Sequence, residues 1–206
     1  ANGTATAKVD VTKNITLDLN GKTLARDNNA ATLFVIKDAT LTINGATEGS
    51  TLVGRLNVGD SVYNGGVRTA HWDGKLVING GTYSVGDGQT VIHVNGDCLN
   101  AAVTINNATL TSPTDNGVQF NGKGTFAINN STINGATAVY MKAGTLTIDK
   151  DSKINATAET WTAPVANHNG SNPTGDAIVM DSITGYQGAI SLTVAAGAQV
   201  TKVAEG

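Results

Sequence analysis

GTFAINNSTINGATAVYMKAGTLTIDKDSKI, residues 124–154, is the stretch that decides the fold. It holds one phrase twice: an alternating strand ending in Ile, an Asn or Asp corner, and a second short strand. Ile128 and Ile148 anchor the two copies, and their separation of 20 residues is the shortest step between copies in the chain. Nothing is spare in this pair, so it defines the basic unit of a repeat protein.

Working outward, the phrase recurs at residues 15–24, 39–48, 74–83, 101–110, 144–154 and 189–200, which with 124–133 makes seven copies. The anchors Leu19, Ile43, Ile78, Ile105, Ile128, Ile148 and Val194 are 24, 35, 27, 23, 20 and 46 residues apart. An irregular period above a floor near 20 fits stacked units that carry loops of different length. Two places before each anchor stands Leu17, Leu41, Leu76, Val103, Phe126, Leu146 or Leu192, with mostly polar neighbours between. This period of two predicts strands with one face inward and one outward.

The residue after each anchor is Asn20, Asn44, Asn79, Asn106, Asn129, Asp149 or Ala195. Asn and Asp tolerate left-handed backbone angles, so the sequence predicts a sharp corner there, and stacked amides predict a ladder. Asn134 lies outside that column. The competing reading, hairpin turns at Asn-Gly pairs, suits Asn20, Asn44 and Asn79 but not the Asn-Asn and Asp-Lys corners. A further family of short strands precedes several anchors, with inward pairs Phe34/Ile36, Ile92/Val94, Val118/Phe120, Val139/Met141 and Ile178/Met180. Three short strands per coil, about seven coils and an Asn ladder at one corner are therefore expected, in an all-β chain whose residues 1–206 form one domain.

Composition agrees. Thr (29), Gly (25) and Asn (22) dominate, while Glu and Arg occur three times each, which disfavours helix. The net charge of −3 has no basic cluster, so nucleic acid and anionic membrane are not expected partners. No apolar run approaches the length of a membrane span, and the start at Ala1 reads as a mature or excised piece. Cys98 is the one cysteine, so no disulfide forms within the chain.

The pattern Leu-x-Ile-Asn-Gly-x-Thr, the Asn ladder and the variable loops resemble the right-handed parallel β-helix (β-solenoid) of the pectate-lyase-like superfamily. Residues 14–24, Asn-Ile-Thr-Leu-Asp-Leu-Asn-Gly-Lys-Thr-Leu, resemble the first coil of such repeats in large bacterial surface proteins. That resemblance implies an extracellular, cell-surface module, a segment of a larger adhesin-like protein.

It also implies a polysaccharide-binding face on the outward side of the first strand. The columns there read Val35, His93, Gln119, Tyr140, Val179 and Lys37, Asn95, Asn121, Lys142, Asp181. The candidate ligand-binding residues are His93, Asn95, Gln119, Asn121, Tyr140, Lys142 and Asp181, with Trp72 and Trp161 on two excursions, residues 48–73 and 157–176, the latter also holding Pro164, His168 and Pro173. Alternation predicts that this face is open to solvent.

Glycoside hydrolysis needs two carboxylates about one bond, and Asp181 stands alone. A lyase needs clustered acidic oxygens for Ca²⁺ and a base. Asp149 and Asp151 belong to the corner, and Arg26, Arg55 and Arg68 lie in the first half. No catalytic residue, metal site or cofactor is therefore assigned. His71, His93 and His168 are scattered, and Thr-x-Thr columns of an ice-binding kind are interrupted by Asp18 and Lys75. The expectation is a non-catalytic spacer, adhesin or glycan-binding module whose partner is a polysaccharide or host glycan. A pectate-lyase-like lyase or hydrolase is the alternative, and head-to-tail self-association through open strand edges is a third.

Overall fold

The computed structural model of the chain describes residues 1–29, 31–165, 169–181 and 188–203. Those residues form strands, turns and bends with no helix. Parallel pairing sorts nearly all strands into three columns. The first holds Val9–Val11, Thr32–Ile36, Arg55–Val58, Ile92–Val94, Asn116–Phe120, Thr137–Met141 and Ile178–Met180. The second holds Ile15–Asp18, Thr40–Asn44, Gly124–Asn129, Gly144–Ile148 and Ile190–Val194. The third holds Gly3–Ala5, Thr23–Arg26, Thr51–Val53, Thr132–Gly135, Lys153–Ala156 and Gln199–Thr201. Lys75–Ser84 and Ala101–Thr111 run through the corner and serve the second and third columns at once, which joins those columns into one sheet.

Along the chain the columns are visited in a fixed order, and each strand pairs with the strand one repeat away. Alternation places Leu41, Ile43, Leu76, Ile78, Val103, Ile105, Phe126 and Ile128 in a continuous buried core that runs through all the repeats. Phe120 and Phe126, from the first and second columns, stack across it with ring centres 5.9 Å apart. A single strand buries too little surface to persist alone; stacked repeats bury the whole inner face.

The ladder is real, with two corrections of membership. Asn129 Nδ2 donates to Asn106 Oδ1 (2.9 Å), Asn106 to Asn79 (2.9 Å), Asn79 to Asn44 (3.0 Å), and Asn44 to Asp18 Oδ1 (2.6 Å). Asn20 does not hold the first rung. Leu17 pairs with Ile43 and Asp18 with Asn44, so the first repeat is set two residues earlier than its Leu-Asn dipeptide suggests. Asp149 holds no amide rung either: its carboxylate accepts from Asn130 N (2.9 Å) and Ser152 Oγ (2.6 Å).

The bend itself lies one residue beyond the rung. Asn107 and Asn130 have φ of 53° and 43°, and Gly80 fills the equivalent place at 79°. The rungs Asn79, Asn106 and Asn129 are thus strand residues on the half-buried outer side, and the residue after each takes the left-handed turn. Asn134, outside the anchor column, belongs to a second ladder. Asn155 donates to Asn134 Oδ1 (3.0 Å), Asn134 to Thr111 Oγ1 (3.3 Å), and Thr201 to Asn155 Oδ1 (2.7 Å).

The first excursion is shorter than the sequence suggests. Thr51–Val53 and Arg55–Val58 are ordinary members of the third and first columns. Only the antiparallel hairpin of Asp60–Asn64 with Val67–Trp72 leaves the stack. It is clasped by Asp97, whose carboxylate accepts from Tyr63 OH (2.9 and 3.0 Å) and Arg68 Nη1 (2.9 Å).

Candidate functional site

The outward side of the first column is in the register that alternation predicts. Asp10, Val35, Asn57, His93, Gln119, Tyr140 and Val179 are successive cross-strand partners. None of them belongs to the core cluster. Two residues on, the amides of Lys37, Asn95, Asn121, Lys142 and Asp181 each bond to the preceding repeat. His93, Gln119 and Tyr140, with Asn95, Asn121, Lys142 and Asp181 beside them, therefore share one face.

That face is not open. Gln119 is 5 % exposed, and Asn121, Tyr140 and Lys142 are 0 % exposed. Among the described residues, the chain's own 169–174, part of the second excursion, lie over the face. The carbonyl of Asn169 accepts from Gln119 Nε2 (2.9 Å) and Asn121 Nδ2 (3.2 Å), and His93 Nε2 lies 3.1 Å from it. Lys142 Nζ donates to the Gly170 carbonyl. Asn116 Nδ2 donates to Ser171 Oγ (2.9 Å), Gly96 N to Asn169 Oδ1 (2.6 Å), and Thr174 N to Thr137 Oγ1 (2.6 Å). A polar row that faces away from a β core must find partners in water or in chain laid over it; here it finds chain.

Burial sets the electrostatics of the row. It pushes the His93 imidazole down to about 4, against the bond to Asn169, so the ring is neutral near pH 7. It lowers Lys142 to about 8, opposed by the charge of Asp181. Burial, and then the bond to Asp181 Oδ2 (2.9 Å), raises Tyr140. Lys142 Nζ also lies 5.7 Å from the Tyr140 ring centre.

Two side-chain oxygens in this region are buried and have no partner among the described residues: Asn57 Oδ1 and Asn116 Oδ1. Asn57 is the cross-strand neighbour of His93, and Asn116 holds the cover through Ser171.

The remaining candidates lie elsewhere. Trp72 sits at the base of the hairpin with Lys37 Nζ 5.0 Å from its ring, and Lys37 bridges Asp10 (3.1 Å) and Asp60 (2.9 Å). Trp161 is exposed and donates Nε1 to Asp176 Oδ2 (3.1 Å), within the second excursion. His168 lies outside the described residues. Cys98 is buried, with burial pushing its thiol up to about 12. Among the described residues no group of three His, Cys, Asp or Glu side chains is placed to hold a metal, and no helix is long and apolar enough to cross a membrane.

Sequence reasoning missed Asn57, because residues 55–58 were assigned to an excursion, and missed Asn116, Asn169 and Gly170. The available signal was compositional. Residues 169–174 contain no large apolar side chain, which suits them to lie over a polar surface rather than an apolar one. No family model, curated protein or solved structure matches this chain.

Proposed function

We propose that the chain is a right-handed parallel β-helix of about seven coils with three strands per coil, working as a non-catalytic glycan-binding adhesin module at a bacterial cell surface. Each circuit of the three columns is one coil, and at about 4.8 Å per coil the stack is roughly 35 Å long. The observation that carries the binding reading is the register-aligned row of His93, Gln119 and Tyr140 with Asn95, Asn121 and Lys142, donors on one rigid face. Its chemistry is recognition. Asp181, the carboxylate next to Tyr140, is tied to it by a hydrogen bond and so is not free to serve as half of an acid–base pair. A ligand on this face takes the place of residues 169–174.

A glycan array probed with the purified chain tests the proposal. Binding to a defined set, weakened by Gln119→Ala, supports it; uniform silence leaves the same stack as a rigid spacer. Release of reducing or unsaturated sugar from a polyuronate panel would instead establish the enzyme reading.

A second reading has its own observation. Met180, Leu192, Val194 and Val200 are 36 to 45 % exposed, and Leu192, Val194 and Val200 line a cavity of about 420 Å³ together with Ala177 and Ile178. These are the inward residues of the last described strand in each column. Head-to-tail stacking of a second copy would cover them.

A further inference from the structure

We infer that the ligand group held by this row is the acetamido group of an N-acetylated sugar, its carbonyl taking the place that the Asn169 carbonyl fills here. The inference rests on the glycan-binding reading and names the sugar class.

Three features of the row carry it. First, the group on which Gln119 Nε2, Asn121 Nδ2 and His93 Nε2 converge is an amide carbonyl, at 2.9, 3.2 and 3.1 Å. An acetamido carbonyl is the same group on a sugar. Second, the converging side chains are neutral, and the negative charge of Asp181 acts on Lys142 against the effect of burial. A carboxylate at the convergence point would bury a charge among neutral donors, which costs far more than burying an amide. Third, the cover meets the donors of the face but leaves the acceptors Asn57 Oδ1 and Asn116 Oδ1 without partners among the described residues. Unmet buried acceptors are rare and mark a missing donor. An acetamido group brings an N–H together with its C=O, and the ring brings hydroxyls; the peptide cover brings neither to these two oxygens.

The cover is then a competitor, and apparent affinity falls with the fraction of molecules in which it is seated. Asn169 Oδ1 and Ser171 Oγ anchor it by side chain, on Gly96 N and Asn116 Nδ2. Changing those two residues loosens the cover and leaves the row intact.

Isothermal titration of the purified chain with triacetylchitotriose, its de-N-acetylated counterpart and trigalacturonate tests the assignment. The acetylated trimer should bind at least ten-fold tighter than either of the others. Asn169→Ala with Ser171→Ala should tighten it by about ten-fold, and Gln119→Glu should abolish it. If Gln119→Glu fails to fold, the cover variant decides alone, because unchanged affinity there moves the ligand off this row and overturns the inference. Equal binding of all three trimers, or preference for trigalacturonate, overturns the acetamido assignment and leaves the glycan reading standing. Silence toward all three and across the glycan array removes both.

Discussion

Asn129 donates its side-chain amide to Asn106 Oδ1 at 2.9 Å, and Asn106 passes the same bond on to Asn79 at 2.9 Å. Asn106 is thus an interior rung, losing one accepted and one donated bond if truncated. The rungs are half-buried on the outer side of the strand, so each lost bond is worth about 1 kcal/mol rather than the full cost of an orphaned interior group. Asn106→Ala should destabilise by about 2 kcal/mol in urea titration. Asn134→Ala should cost nearly as much, because Asn134 also donates one ladder bond and accepts another. A neutral Asn134→Ala would remove the second ladder from the account of stability.

The corner one residue later gives a different signature. Asn130 has φ 43° and Asn107 φ 53°, angles that β-branched side chains tolerate worst. Asn130→Val should cost about 1–2 kcal/mol, while Asn130→Gly should stay within about 1 kcal/mol of the parent, the lost bond to Asn107 offset by relief at φ. Equal penalties for Val and Gly would mean that the side-chain bond, not the backbone angle, shapes this bend.

The face covered by residues 169–174 makes the chain acid-sensitive. His93 stays neutral in the fold down to about pH 4, while in the unfolded chain it protonates near 6.5. The folded pKa is the lower one, so the contribution is present above about 6.5 and is lost as pH falls toward about 4. Burial is the first cause, and the charges of Arg55 and Lys142 add to it. Unfolding free energy should drop by on the order of 2–3 kcal/mol from this residue between pH 7 and pH 4.5. Carboxylates titrate in the same window, so the comparison is with His93→Gln, whose loss should be smaller by that amount. Identical pH profiles would mean that His93 is solvated.

Burial also changes what substitution of the face can report. Tyr140 and Lys142 are fully enclosed, and Tyr140 OH is bonded to Asp181 at 2.9 Å. Replacing Gln119, Tyr140 and Lys142 together by Ala should therefore lower the melting temperature sharply, because it empties a packed site and strands its partners. An open, solvated face would leave the melting temperature nearly unchanged, and differential scanning calorimetry distinguishes the two.

The columns and their contents were legible because alternation has a period of two whatever the loop lengths. Ile92/Val94 and Val118/Phe120 fix His93 and Gln119 on the other side, and pairing confirms the register. What alternation cannot carry is what lies over the outer face. That depends on where a 20-residue excursion folds back, and residues 169–174 have no periodicity to announce it. The first rung was misplaced for a related reason: Leu17-Asp18 and Leu19-Asn20 offer the same apolar–polar step, and only the partner strand, with Ile43 against Leu17, chooses between them. Arg55–Val58 was hidden by the hairpin that follows it, since a 35-residue spacing suggests one long loop as readily as a complete repeat with an insertion.

The exposed inward side chains of the last described strands supply the last prediction. Leu192 and Val194 continue the inward file of Leu146 and Ile148, and Val200 continues that of Ile154. The side chains before them in each file are at most 2 % exposed, whereas these three are 36 to 45 % exposed. If a second copy stacks here, the apparent mass of the purified chain should rise with concentration in sedimentation velocity. Leu192→Lys with Val200→Glu should hold it at monomer mass. Each introduced charge would have to be desolvated at the contact, at a cost of several kcal/mol, which weakens association by more than 100-fold. The same two changes should alter monomer stability by little, because both side chains already face water in part. A concentration-independent monomer before any substitution would set the stacking reading aside, and so would an oligomer that persists unchanged in the double variant.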